Sequence, residues 1–186
     1  MKKIVLTFGL ASGIALSAMM LATLPFHDQM SFGTALIIGY TTMVAAGLVS
    51  YFGVRRYRDT VGGGKTTFAR AFSVGMLICL ISSACYTVTW EAVYFGVPGF
   101  ATNFVARYKA AEVARERAKG TPPAELERKR VEMERQWQQY QNPAINAAMT
   151  FAEPLPVGLI VALLSAAALS RRRGTAAAGV SRASMA

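Results

Sequence analysis

Two glutamates stand out because they adjoin stretches that are otherwise apolar. Glu91 falls near the end of the third apolar block of the chain. Glu153 directly precedes Pro154, at the start of the fourth block. A carboxylate at membrane depth costs about 2.5–3.5 kcal/mol at a helix centre, so it usually has a partner or a function. The two carboxylates could therefore share one polar site that handles protons or cations.

Aromatic residues around Glu91 belong to the same candidate polar site. They are Tyr86, Trp90 and Tyr94, which are residue types enriched at the interface between hydrocarbon and water. Glu153 is placed to cap the last helix and to complement its N-terminal dipole. The alternative is therefore structural: one capping glutamate and one interfacial glutamate bonded to Tyr or Trp. We favour this structural alternative, because burial is what makes such a carboxylate functional and the sequence does not show burial.

Other reactive groups lack the neighbours that their chemistry needs. His27 is the single histidine, which argues against a histidine-based metal site. Cys79 and Cys85 fall within one apolar block, about 9 Å apart along a helix axis, which is too far for a disulfide. The glycine-rich segment 62–66 does not have the spacing of a phosphate-binding loop. We therefore expect no enzyme activity, no cofactor and no metal.

The composition predicts the elements that would position these residues. Hydrophobic residues make up 53% of the 186 residues and charged residues 16%, and the apolar residues form four blocks. A membrane-spanning helix needs about 20 mostly apolar residues. We predict an all-α integral membrane four-helix bundle, with residues 1–173 as one membrane domain and 174–186 as a disordered tail. The spanning helices are predicted at about 4–25, 32–54, 68–96 and 155–170.

One long hydrophilic segment, residues 98–142, separates the third and fourth blocks. Residues 120–122 (Gly-Thr-Pro) are a helix stop followed by a cap and a first-turn proline. This pattern predicts a charged helical hairpin, with helices over 104–119 and 122–140. The second helix has a narrow apolar stripe that faces either the bilayer surface or the bundle. The stripe consists of Leu126, Met133, Trp137 and Tyr140.

The basic residues predict the orientation of the chain. The net charge is +10, but no single basic face or groove is evident, so we expect no nucleic-acid partner. Ten basic residues adjoin apolar blocks, where they favour the cytoplasmic side. They are Lys2, Lys3, Arg55, Arg56, Arg58, Lys65, Arg70, Arg171, Arg172 and Arg173. We predict a multi-pass protein of the plasma (inner) membrane with both termini cytoplasmic.

The hydrophilic segment 98–142 conflicts with this orientation. It would place nine basic residues outside, and six glutamates neutralise them only in part. Acidic residues also count for little in the rule that sets orientation. We keep the cytoplasmic termini because the inner charges directly adjoin the ends of the apolar blocks.

Small residues recur at four-residue spacing in every block. Such rows allow the close backbone approach that holds membrane helices together. The predicted packing positions are Gly9, Gly13, Gly39, Gly47, Gly75, Ser83, Gly158 and Ala162. The rows do not distinguish contacts within one chain from contacts with a second copy or with another membrane protein. The expected partners are thus the lipid bilayer and either a homo-oligomer or another membrane protein.

Several segments resemble a known family. They are the aromatic and basic end of the second block, GGGKTTFARAF (62–72), Trp90, YQNP (140–143) and TFAEPLPVG (150–158). Together they resemble the bacterial family catalogued as domain of unknown function 4199, and the last segment is the most specific. The resemblance implies a four-helix bacterial membrane protein without an assigned activity. It provides no catalytic residues.

Two functions remain open at this point. The first is a non-enzymatic membrane protein that acts by packing or by partner contact and presents its hairpin on the outer face. The second is a small oligomeric transporter or channel component in which Glu91 and Glu153 line a polar path.

Overall fold

The protein is all-helical over the residues that the computed structural model describes, 1–26 and 32–170. The predicted turn at His27, the basic cluster 171–173 and the predicted tail 174–186 lie outside these residues. The helices are α1 (Lys2–Thr23), α2 (Phe32–Thr60), α3 (Phe68–Gly96), α4 (Phe100–Ala118), α5 (Pro123–Tyr140), α6 (Pro143–Ala152) and α7 (Leu155–Ser170). A short 3-10 helix, Leu24–Phe26, follows α1.

Four helical segments of the described chain are long and apolar enough to cross a membrane. Their mean hydropathies are 2.1, 1.5, 1.9 and 1.8, in chain order. They are Lys2–Phe26, Ile37–Thr60, Phe68–Gly96 and Pro143–Ser170. The prediction of an all-α chain with four candidate spanning helices is confirmed.

Helix α2 continues beyond its predicted end at Val54 and reaches Thr60. The extension is stabilised because Tyr57 is buried against the core residues Val5 and Leu169. Arginine is also a good helix former, so the basic residues at this end do not stop the helix. The chain turns only at 62–64, where two glycines adopt positive φ angles of 58° and 82°.

The fourth candidate span consists of two helices rather than one. Helix α6 begins with a cap, in which the side chain of Asn142 accepts a hydrogen bond of 3.0 Å from the backbone N–H of Ala144. Pro154 has no N–H to continue the hydrogen-bond ladder, so α6 ends just before it and α7 begins at Leu155. The start of α7 agrees with the sequence prediction, and α6 extends the span toward the hairpin.

Helices α1 and α3 pack parallel to each other through glycine contacts. A Cβ atom at Gly9 would lie 2.8 Å from the Cβ of Ile81. One turn further along both helices, a Cβ at Gly13 would lie 2.6 Å from the Cβ of Cys85. Such distances leave no room for a side chain, so the two backbones approach closely.

Helix α7 packs antiparallel to α3 in the same manner. A Cβ at Gly75 would lie 3.0 Å from the Cβ of Ala162, and one at Gly158 would overlap the sulfur of Cys79. Ser83 on α3 is fully buried. Gly47 on α2 faces a side chain of α7, because a Cβ atom at this glycine would lie 2.8 Å from Val161 Cγ2.

Gly39 is the exception among the predicted packing positions. A Cβ there would meet no described atom within 4 Å, so the structure shows no helix contact within the described chain at Gly39. The residue follows the spacing of the row on α2, but it faces a cavity instead of a neighbouring helix. The spacing of small residues does not report the direction that each one faces.

The surface of the four long helices is apolar and their interior contains hydroxyl groups. Large apolar side chains point outward, such as Ile14, Val88 and Leu164 at 65%, 69% and 64% exposure. In the interior, Ser12 donates a hydrogen bond of 2.9 Å to the carbonyl of Ala46. This arrangement is the inverse of a water-soluble domain and is suited to hydrocarbon, which gives apolar side chains no reason to turn inward.

Candidate functional site

A cavity of about 260 Å³ lies where the ends of α1, α2, α3 and α6 meet the hairpin formed by α4 and α5. Three residues of the predicted polar site line it: Tyr86, Trp90 and Glu153. The structure brings these three together from α3 and from the end of α6. Glu91 and Tyr94, which the sequence placed in the same site, are not on its wall.

Glu153 provides the charge of this cavity. Its carboxylate accepts a hydrogen bond from the hydroxyl of Tyr86 at 3.5 Å, which is long for a bond between two oxygens. No other described side chain donates to it, and no described Lys or Arg lines the cavity. The carboxylate is exposed and has no cationic partner among the described residues of the cavity wall.

The predicted capping role of Glu153 is not what the structure shows. Its backbone is still helical, and its N–H donates to the carbonyl of Met149 at 3.1 Å. A capping residue instead has extended backbone, which lets its side chain reach back to the first N–H groups of the helix. Because the chain passes from α6 to α7 almost without a break, the carboxylate turns toward Tyr86 on α3.

Asn146 is the polar residue that the sequence analysis missed. It is fully buried on α6, and its side-chain oxygen accepts a hydrogen bond of 2.9 Å from the indole N–H of Trp90. Its amide nitrogen donates to the carbonyl of Tyr140 at 3.2 Å, and Thr150 donates to its oxygen at 3.3 Å. One amide therefore joins α3, α5 and α6 beside the cavity. The sequence feature that could have identified this residue was a single asparagine within an apolar helix.

The hairpin is docked on the end of α3 by an aromatic cluster. The ring of Trp90 lies 5.3 Å from that of Phe104 on α4, and the ring of Tyr94 lies 5.5 Å from that of Tyr140 on α5. Trp90 and Tyr94 are only 7% and 1% exposed. The hairpin folds back and covers both rings. Edge-to-face contacts of this kind each add about 0.5–1.5 kcal/mol beyond burial.

Burial also explains the apolar stripe on α5. Its four residues, Leu126, Met133, Trp137 and Tyr140, are half-buried, and all four line a groove against α4. The stripe therefore faces protein. Of the two directions that the sequence left open, the structure shows contact with α4 and the bundle.

Glu91 lies on α3, away from the wall of the cavity. Its Oε1 atom is buried and has no hydrogen-bond partner among the described residues. The carboxylate still acts on the cavity through Tyr140. Burial raises the pKa of Tyr140, and the charges of Glu153 and Glu91 raise it further.

The tip of the hairpin is fastened by Glu116, a carboxylate that is 4% exposed. It accepts hydrogen bonds from Lys119 at 2.7 Å and Lys129 at 2.5 Å, and from the Thr121 hydroxyl at 3.0 Å. These bonds, led by that of Lys119, lower the pKa of Glu116 from 4.5 to about 2. Gly120 closes the turn with a positive φ of 75°.

Acid is expected to loosen this hairpin. The folded-state pKa of Glu116 is lowered, so its stabilising effect is complete above about pH 5 and is lost as the pH falls from 4.5 toward 2. Tryptophan fluorescence followed through this range should show a transition that Glu116→Gln removes. Glu127→Gln is the matched control because Glu127 is exposed and pairs only at 3.5 Å. An unchanged transition in Glu116→Gln would contradict the assignment.

The fold and the cavity together define an all-helical protein with four helices suited to a bilayer and a polar site at one end. The chain belongs to the family described as protein of unknown function DUF4199, whose model matches residues 7–171. The resemblance in segments 62–72 and 150–158 is therefore confirmed, and Thr150 and Glu153 of the second segment line the cavity. No curated protein and no solved structure matches the chain.

Proposed function

We propose that this chain is a non-enzymatic, multi-pass protein of the bacterial plasma membrane that binds a small ligand in the cavity beneath its hairpin. The observation that carries the proposal is the composition of the cavity wall. Helices α1 to α6 all contribute residues to it, and Glu153 is the single carboxylate among its described lining residues. A cavity at the meeting point of several helices is a usual place for a ligand.

The membrane location is supported by the surface of the helices. The four candidate spans carry their largest apolar side chains outward, and small hydroxyl groups connect the helices inside. In water, such a surface would far exceed the apolar patches of ordinary monomers. In a bilayer, the same apolar surface would contact the hydrocarbon of the lipid tails.

The orientation with cytoplasmic termini is supported by the placement of charge. Seven described basic residues gather at the end of the bundle away from the hairpin, and Asp59 is their acidic neighbour. They are Lys2, Lys3, Arg55, Arg56, Arg58, Lys65 and Arg70. In the hairpin, ion pairs engage Lys109, Arg115, Lys119, Lys129 and Arg130. This pairing weakens the conflict that the hairpin poses for the positive-inside rule.

Binding rather than catalysis is supported by the residues on the cavity wall. One carboxylate lies among phenol, hydroxyl, indole and thioether groups. The described wall contains no Lys, His, Ser or Cys, which commonly act as catalytic bases or nucleophiles. The described wall provides groups that recognise a ligand, while the hairpin provides a lid of aromatic residues.

A transporter or channel component is the second candidate. It is favoured by the position of Tyr140, whose phenol feels the charges of both Glu153 and Glu91. In such a protein Glu91→Gln would abolish a proton- or cation-dependent flux while binding in the cavity persists. In the binding protein that we propose, Glu91→Gln changes only stability.

Cysteine labelling tests the proposed topology. Two exposed valines form a matched pair, Val61 beside the glycine turn and Val131 on α5, at 53% and 64% exposure. In a chain with Cys79→Ala and Cys85→Ala, an impermeant maleimide added outside intact cells should label Val131→Cys and not Val61→Cys. Permeabilised cells provide the control in which both react. Labelling of only Val61→Cys from outside would show that the orientation is opposite to the proposed one. Labelling of both cysteines from outside would show that they do not lie on opposite sides of a membrane.

A further inference from the structure

We propose that the ligand of this cavity is a small organic cation, an alkylammonium group that pairs with the Glu153 carboxylate. This inference rests on the proposed binding function and names the chemical class of the ligand. It is drawn from three features of the cavity: its charge, the chemistry of its walls and its size.

The charge of the cavity is negative and unbalanced. Glu153 contributes a carboxylate, and the described wall contains no Lys, Arg or His. Among the described side chains, the Tyr86 hydroxyl donates to this carboxylate, at the long distance of 3.5 Å. Glu153 is exposed at the cavity, so its carboxylate can be reached by a ligand. A bound cation would provide the partner that the described wall does not.

The walls distinguish an organic cation from a metal ion. Tyr86, Trp90, Phe104 and Tyr140 line the same space, and aromatic rings attract ammonium groups. Three methionines, Met19, Met20 and Met43, add polarizable apolar surface. Hard metal ions prefer six or more oxygen ligands, whereas this cavity has one carboxylate. No described group of three His, Cys, Asp or Glu residues is arranged to hold a metal.

The volume fits a small ligand. At about 260 Å³ the cavity is slightly below the usual range for drug-sized molecules. Gly39 faces this space, and a side chain at that position would meet no described atom. The cavity can therefore be filled from α2 without disturbing a helix contact, which gives a variant that blocks the site.

The test measures how fast charged reagents reach the cavity. In the chain with Cys79→Ala and Cys85→Ala, the cavity residue Thr42 is replaced by cysteine. It is then treated with cationic, anionic and neutral methanethiosulfonates of similar size. At pH 8 the cationic reagent should react roughly tenfold or more faster than the anionic one, because one nearby unit charge attracts the first and repels the second. Glu153→Gln should bring the two rates close together, while the exposed control Glu127→Gln should not.

Competition identifies the ligand chemistry. Choline should protect the cysteine at Thr42, and its uncharged isostere 3,3-dimethylbutanol should not. Protection by choline should disappear in Glu153→Gln, and Gly39→Phe should slow all three reagents. Melting temperatures of the variants establish that each one is folded before its rate is compared.

Each remaining outcome decides one of the two proposals. Equal rates for the three reagents, together with blocking by Gly39→Phe, would leave the binding cavity standing and overturn the organic cation. No reaction with any reagent, while Val131→Cys reacts fully, would overturn the accessible cavity itself.

Discussion

Replacing Asn146 by leucine is expected to lower the free energy of unfolding by about 2–6 kcal/mol. The amide accepts from the Trp90 indole at 2.9 Å and donates to the Tyr140 carbonyl at 3.2 Å. Leucine would leave both groups buried without their partner, at about 1–3 kcal/mol for each. Because one residue joins three helices, the hairpin should also separate from α3.

Two measurements check this prediction. Thermal unfolding in detergent gives the loss of stability, and Trp90 fluorescence in a Trp137→Phe chain should shift to the red as the ring becomes hydrated. Asn103→Leu is the matched control, since Asn103 is exposed on α4. Similar melting temperatures for Asn146→Leu and Asn103→Leu would mean that the buried amide does not hold the hairpin.

Replacing Gly13 by alanine is expected to destabilise the bundle by about 1–3 kcal/mol. The new Cβ would lie 2.6 Å from the Cβ of Cys85 and 3.2 Å from the backbone Cα of Ser82. The second neighbour is backbone, so α1 must move away from α3. Separation would also strain the hydrogen bond of 3.2 Å between Ser82 and Ser12.

Gly39→Ala is the control for this substitution because the added methyl group would enter open space. Alanine forms helices better than glycine by up to about 1 kcal/mol, so this variant should be neutral or slightly stabilised. Resistance to unfolding by sodium dodecyl sulfate compares the two variants. Equal loss in both would show that helix propensity or lipid contact, rather than the contact of α1 with α3, dominates at these glycines.

The hairpin links the fold to the proposed function. Its ion pairs and the Glu116 contacts hold α4 against α5, and its aromatic cluster holds both against α3. The inner ends of α4 and α5 then complete the cavity with Phe104 and Tyr140. Docking of the hairpin and ligand binding should therefore be coupled, because a ligand that binds only when the hairpin is docked stabilises the folded state by mass action. Replacement of Asn146 should in turn weaken ligand binding.

Helix extents were largely predictable because they depend on local chemistry. The predicted range 68–96 is that of α3, and the range 155–170 is that of α7. Each is a long apolar run bounded by proline, glycine or charged residues, and these preferences act over a few neighbouring positions. The error at α2 arose where a residue beyond the apolar run, Tyr57, packs into the core. Only contacts with distant helices could reveal that extension.

The candidate site was predictable only in part. Tyr86, Trp90 and Glu153 meet at one cavity, but Glu91 lies elsewhere and Asn146 replaces it as the central polar contact. The sequence by itself determined that the chain forms four apolar helices and a charged hairpin segment. The preference of each segment for hydrocarbon or for water is the sum of the preferences of its residues, so it can be read without the tertiary structure. The tertiary structure decided which side chains meet. That outcome depends on the rotation of each helix about its axis and on the docking of the hairpin, which many contacts between distant residues set together.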